Sequence, residues 1–288
     1  FRSMDKVNLQ LFSFGFDCPL SFLDKIRCAG EMGYSGVEFV RNYENIPVED
    51  VQKALQEAGV QAVSAHVAFD FMEQDLPYLA KLGMKYVACP MTPFKSAEEA
   101  KEVAADLNKF GKMAKPYGIT IGYHNHTDEF VVDEGKYLLD WVIENTDPET
   151  VAFEIDCGWA SAAGVDPVAY IQKHAGRICA IHIKENGGVI GTGTPRSRYD
   201  PPMPRPQFEK DENGNPIIPE AFKKMMEERE KLNVPQGTGI VDWKAVKAAA
   251  DAQWNGEVLY VVEREASYGG KDRITCLKED IAWLKENL

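Results

Sequence analysis

The sequence predicts a single (β/α)8 barrel with a long insertion after the seventh strand. Three observations carry that expectation. Short apolar β-forming runs alternate with amphipathic helical runs along the chain, there are eight such runs, and four of them end on ionisable side chains. Alternating strands and helices imply a parallel sheet with helices outside it, and eight strands close a barrel. A buried parallel strand is normally apolar throughout, so a carboxylate or imidazole at its end costs desolvation free energy unless something compensates. The C-terminal strand ends of a barrel converge on one face, where barrel enzymes keep their chemistry. A doubly wound open sheet is the rival, but no Gly-rich phosphate turn follows the first strand.

In chain order the expected strands are Val7–Phe14, Ser35–Val40, Gln61–Val67, Lys85–Pro90, Ile119–Asn125, Val151–Cys157, Ile178–Lys184 and Glu257–Glu263. Between them apolar residues recur at helical spacing, as in Phe22, Ile26, Ala29 and in Val103, Leu107, Phe110, Met113. Pro47-Val-Glu-Asp opens one helix and the capping box Ser96-Ala-Glu-Glu another. Gly33, Gly59, Gly83 and Gly118 fall just before strands, where helix ends need a left-handed residue. The connections at 29–38 and 80–88 echo one another, a weak sign of a repeated β/α unit. Residues 185–235 break the rhythm with Pro201-Pro-Met-Pro-Arg-Pro206, Asp211-Glu-Asn-Gly-Asn-Pro216 and the charged helical piece Glu220–Lys231. A loop of that length leaving the active face reads as a lid or an oligomer contact.

At 288 residues the chain suits one barrel, which typically needs about 250. A hydrophobic fraction of 44% supports a large core and excludes disorder. The formal charge of −13 argues against nucleic acid, whose binding needs basic patches. No apolar run approaches the roughly 20 residues of a membrane span, and no signal peptide opens the chain, so a cytoplasmic location is expected. Phe1-Arg2-Ser3 before Met4 reads as an expression scar, leaving 4–288 as one domain. Six cysteines without CxxC spacing read as core thiols.

Asp156, His182 and Glu263 end strands six, seven and eight, so three adjacent strands present one candidate ligand each. Carboxylates with an imidazole suit manganese, magnesium, cobalt or zinc and leave positions open for substrate. Each has a plainer reading alone: Asp156 as a helix cap, Glu263 as the partner of Arg264, His182 as a satisfied core residue. Glu38 and His66 fall at the ends of strands two and three, and Trp159 follows Asp156; these are expected to contact substrate. Trp159 suits an apolar wall for a sugar ring, with core packing as its alternative. Lys184 shares a strand face with His182. A nearby metal would lower its pKa and fit it to act as an acid or to orient an oxyanion; a salt bridge is the alternative.

The runs Tyr123-His-Asn-His-Thr-Asp-Glu-Phe130, Glu154-Ile-Asp-Cys-Gly-Trp159, Asp166-Pro167, Gly176-Arg177, His182-Ile-Lys184, Gly237-Thr-Gly239, Asp242-Trp243 and Val262-Glu263 resemble, in that order, the xylose-isomerase-like barrels. That family includes sugar and sugar-phosphate isomerases and epimerases, inosose dehydratase and endonuclease IV. The resemblance implies a metal held by Glu, Asp, His and Glu, the last three being Asp156, His182 and Glu263. The first ligand departs from the pattern, because strand five ends on His124, with His126 and Glu129 beyond. His124 and Glu129 stand as alternatives for the fourth ligand. The other, with His126, is expected beside it or against substrate.

The expected function is metal-assisted proton transfer next to a carbonyl of a sugar or polyol-derived substrate, through an enediolate, with Glu129 and Glu263 exchanging the proton. That gives isomerisation or epimerisation; expulsion of a β-substituent makes the same site a dehydratase or lyase. A non-catalytic sugar-binding barrel is the reading of another class. Endonuclease-like phosphodiester hydrolysis would need more histidines than the five present and a less acidic chain.

Overall fold

Eight short parallel strands form the barrel wall: β1 (Asn8–Gln10), β2 (Gly36–Phe39), β3 (Gln61–His66), β4 (Tyr86–Cys89), β5 (Thr120–Tyr123), β8 (Phe153–Asp156), β9 (Ile178–Ile183) and β10 (Leu259–Val262). The computed structural model describes residues 4–204 and 207–288. Phe1–Ser3, the suspected scar, and Arg205 and Pro206 of the proline-rich run lie outside the described residues. The strands pair in the order β5-β4-β3-β2-β1-β10-β9-β8. Between β5 and β8 the Ile121 N–H donates to Thr150 O at 3.1 Å and the Ala152 N–H to Ile121 O at 3.0 Å, which brings the sheet round on itself.

All eight strands end one to four residues before their expected runs, and two of them show the local reason. The Gln10 side chain accepts from the Phe12 N–H, so the chain leaves β1 into a 3-10 turn over Leu11–Phe14 rather than extending to Phe14. Asp156 ends β8 and at once caps α6 (Cys157–Ala162), its Oδ1 accepting from the Trp159 N–H. A small hairpin of β6 (Val132–Asp133) and β7 (Lys136–Tyr137) is an addition that the apolar pattern does not signal.

The outer helices are α1 (Phe22–Glu31), α2 (Val48–Ala58), α3 (Phe69–Lys81), α4 (Ala97–Ala114), α5 (Leu138–Glu144), α6, α7 (Pro167–Lys173), α8 (Glu220–Glu230), α9 (Trp243–Gln253) and α10 (Arg273–Asn287). Ser96 caps α4, its hydroxyl accepting from the Glu99 N–H. The Glu99 carboxylate reaches back to the Lys95 N–H instead of that of Ser96. The four expected helix-end glycines all have positive φ. All six cysteines are free thiols.

The lower barrel interior is closed by Tyr86, packed with Ala88, Ala152, Cys179 and Ala180. Its hydroxyl donates to Ala152 O at 2.9 Å. A Cβ at Gly122 would overlap both groups, so glycine there is required by packing.

Among its described residues the 185–235 segment carries little regular structure except α8. Glu185 fastens its base: Oε2 accepts from the Gly237 N–H and from Trp243 Nε1, each at 2.8 Å. Gly239 lies so close to Glu185 and to the Asn186 carbonyl that a side chain would not fit, which gives Gly237-Thr-Gly239 and Trp243 a structural role. From this base the chain crosses α6, where the Ile190 and Gly191 N–H groups donate to Ala162 O. It reaches α4, where Ser197 Oγ and the Arg198 N–H donate to Glu99 and Arg198 pairs with Asp106. Among the described residues no helix is long and apolar enough to cross a membrane.

Candidate active site

At the C-terminal end of the barrel the inward positions change from small and apolar to ionisable. Residues two apart on a strand share a face, so Asp156 stands above Glu154 on β8, and His182 stands above Ala180 on β9. His182 is fully buried among four carboxylates. Its Nε2 lies 2.6 Å from Glu38 Oε1 and 3.0 Å from Glu154 Oε1. Its Nδ1 lies 3.5 Å from Asp156 Oδ2 and 3.4 Å from Glu263 Oε2. Among the described residues no hydrogen-bond partner satisfies that Nδ1. The expected trio of Asp156, His182 and Glu263 therefore converges, with candidate ligand atoms within 4.8 Å of one another.

His124 joins this group: its Nε2 is 3.1 Å from Asp156 Oδ2, and its Nδ1 faces Pro90 O at 3.4 Å. Without a cation the His124 Nε2–H donates to Asp156; with one between them, donation from Nδ1–H to Pro90 O would free the Nε2 lone pair to ligate. Glu129 goes elsewhere. A 3-10 turn over Asp128–Phe130 folds it back, so that it accepts from the His126 N–H at 2.7 Å and from the Tyr123 hydroxyl at 3.3 Å. Burial without a cation carries its carboxyl up to about 7.

Glu38 and His66, expected at the mouth, are instead buried beside His182 and Glu154. Glu38 is fully buried and His66 nearly so. His66 Nε2 lies 2.7 Å from Glu154 and 2.9 Å from Glu38. Burial would lower the His66 pKa, but these two carboxylates carry it up to about 10. Glu38 also accepts from Gln10 Nε2 and Ser64 Oγ, so protein groups take up its oxygens and a substrate contact there is not what the geometry offers. Glu154 is a site residue that the sequence reading passes over. Its signal is the two-residue spacing to Asp156, which places both on the inward face.

The electrostatics are lopsided. None of Glu38, Glu154, Asp156 and Glu263 pairs with lysine or arginine among the described residues; their only basic neighbours there are imidazoles. Burial lifts the Glu263 carboxyl to about 8 despite His182. For Asp156 burial also opposes the charge, but the hydrogen bond from His124 and the nearby His182 imidazole outweigh it and hold the pKa low. Asp156, Glu263 and the unsatisfied His182 Nδ1 form a donor set suited to a divalent metal, and His66, His124, Glu154 and His182 form a second such group that shares His182.

The remaining expected residues line one side. Lys184 is 3% exposed and makes no salt bridge among the described residues; its Nζ sits 4.5 Å from the Trp159 ring centroid. The Trp159 Nε1 and His126 Nδ1 atoms are buried without partners, and the two rings are 5.9 Å apart. Burial lowers the His126 imidazole to about 3, so it is neutral. Gly158 lets α6 press against the Lys184 backbone, which accounts for the Asp-Cys-Gly-Trp run. Arg264 pairs with Asp280, leaving Glu263 to the site.

The sequence profile of the xylose isomerase-like TIM barrel family matches residues 26–287. The chain belongs to that family. It is 29% identical over 190 residues to an inosose dehydratase of Mesomycoplasma hyopneumoniae, covering 58% of this chain and 63% of that protein. The chain thus spans less than two thirds of that relative's length. A sugar phosphate isomerase/epimerase from Parabacteroides distasonis superposes with a TM-score of 0.74 at 21% identity, covering 99% of this chain and 95% of that one. A zinc-bound structure of the IolI protein gives 0.67 at 15% identity, covering 98% of each. At these identities the two structures share the fold with this chain.

Proposed function

We propose that the protein is a divalent-metal-dependent enzyme that removes a proton next to a carbonyl on a sugar or polyol-derived substrate. The observation that carries this reading is the unsatisfied His182 Nδ1 facing Asp156 and Glu263, with His124 Nε2 alongside. Asp156, His182, Glu263 and His124 would hold the ion, His124 taking the fourth place because Glu129 is engaged by His126 and Tyr123. The ion would polarise the carbonyl and offset negative charge developing on its oxygen.

Glu263 is the base: unlike Asp156, its carboxylate accepts no hydrogen bond from a protein donor among the described residues and is available to a substrate C–H. The C–H proton passes to its carboxylate and the electron pair moves toward the carbonyl oxygen. Lys184, an ammonium without a carboxylate partner, faces the same space and supplies a proton. Trp159 Nε1 and His126 are available to substrate hydroxyls.

Isomerisation or epimerisation returns the proton to carbon. Elimination breaks the neighbouring C–O bond instead, with the Lys184 proton going to the departing oxygen. The engagement of Glu129 removes the second carboxylate expected to exchange the proton with Glu263, and this favours elimination, in keeping with the inosose dehydratase relative. The strap over 186–200 supports a lid role for the insertion, since it ties α6 to α4 at the active end.

The test is incubation of the manganese-loaded protein with ketoses and inososes in deuterated water. An unsaturated carbonyl product supports elimination, and deuterium in recovered substrate or an isomer supports the isomerase or epimerase outcome. Neither product nor exchange from any substrate, with sugar binding that survives Asp156→Ala/His182→Ala, would establish a non-catalytic sugar-binding barrel.

A further inference from the structure

Beneath the candidate metal position, a chain of hydrogen bonds begins at a backbone amide, and that fixes its direction. The Phe12 N–H can only donate, and it points at Gln10 Oε1 at 3.1 Å. The Gln10 amide is thereby oriented, and its NH2 group faces Glu38 Oε1 at 2.8 Å. An amide nitrogen donates, so Glu38 Oε1 accepts. The Ser64 hydroxyl lies 2.6 Å from the other Glu38 oxygen. His66 Nε2 approaches Oε1 at 2.9 Å. With donors on both oxygens, Glu38 is an acceptor toward the remaining neighbour, His182 Nε2 at 2.6 Å.

We infer that Gln10, Glu38 and Ser64 act as positioning residues that hold His182 as its Nε2–H tautomer, so that the Nδ1 lone pair is presented to the metal position. This rests on the metal reading above and gives it a directional cause. A lone pair facing Asp156 Oδ2 and Glu263 Oε2 at 3.5 and 3.4 Å is unfavourable by itself and becomes favourable when a cation lies between them. A ligating imidazole commonly donates its other N–H to a carboxylate, which fixes the ring and raises its basicity. Here that carboxylate comes from β2 and its supports from β1 and β3, none of which supplies a proposed ligand. The separation explains why three polar residues sit fully buried where a barrel would ordinarily pack aliphatic side chains.

The test uses the full chain loaded with zinc, which leaves 15N spectra readable. In the wild type the His182 ring should show a protonated Nε2 and a metal-bound Nδ1. Glu38→Leu should lower zinc affinity about 10- to 100-fold and lose the protonated-Nε2 signature. Glu38→Gln should fall between, because an amide oxygen still accepts from His182. Should Glu38→Leu fail to fold, Gln10→Met and Ser64→Ala test the same chain more gently, each with a smaller loss. Zinc bound through His182 Nε2, or unchanged affinity and ring signals in folded Glu38 variants, would overturn the inference while leaving metal binding intact. A wild-type chain that binds no divalent metal would overturn both.

Discussion

Along β8 the inward positions rise from Ala152, just before the strand, through Glu154 to Asp156, and along β9 from Ala180 through His182 to Lys184, just after it. At the lower level Ala152 and Ala180 pack around Tyr86, whose hydroxyl is satisfied by a backbone carbonyl. At the upper level His182 Nδ1, Glu154 Oε2 and Trp159 Nε1 are buried and lack partners. The lower ends are closed by packing, although Thr150 Oγ1 and Arg177 Nε beside them are also buried without partners; at the upper ends the unpartnered atoms lie among buried carboxylates. Buried polar groups are nearly always paired in folded proteins, so a concentration of exceptions marks where a ligand completes the structure. One end is organised for stability and the other for binding.

Breaking the polar end should have the largest effect. Asp156→Ala removes a proposed ligand and the cap of α6 together. Metal content should fall by more than the roughly 10- to 100-fold expected for a supporting residue, with turnover falling alongside, as read by elemental analysis and product assay. Lys184→Met separates proton supply from metal binding: turnover should drop about 10²- to 10⁴-fold while metal content stays the same. Equal losses of both would show that Lys184 supports the fold of the site instead.

The pH dependence of Glu129 sharpens the contrast. Its folded pKa of about 7 exceeds the ordinary 4.5, so the folded state retains a proton that the unfolded chain has lost. Stability from this group is full below pH 4.5, declines as pH rises to about 7, and is level above it. The decline amounts to about 3 kcal/mol, and Glu129→Gln should remove it in urea titrations across that range. At the closed end, Gly122→Ala should cost about 1–3 kcal/mol through overlap with Tyr86 and the Ala152 carbonyl. Tyr86→Phe, which removes only the hydroxyl, should cost about 1 kcal/mol. Neither should alter metal affinity; a change there would mean that the two ends are coupled.

Much of this was legible in the chain itself. Asp156, His182 and Glu263 stand out because each terminates an apolar run, and the eight runs alone imply the barrel. Glu154 and Gln10 do not stand out, because a polar residue inside a short strand becomes meaningful only when the inward face is known. Glu38 and His66 look like mouth residues at their strand ends, yet both are buried, Glu38 against His182 and His66 against Glu154. The choice between His124 and Glu129 was open because it depends on how five residues turn after β5.

The sequence by itself determined the strand and helix order, the barrel, and which strand ends would gather ionisable groups, since these follow from hydrophobic period and desolvation cost. Only the tertiary structure decided which of those groups face one another. Register between strands distant in sequence set His182 among four carboxylates, and a local 3-10 turn withdrew Glu129. Distances of a few ångströms between separate strands are set by closure of the barrel, and no local pattern of residues encodes them.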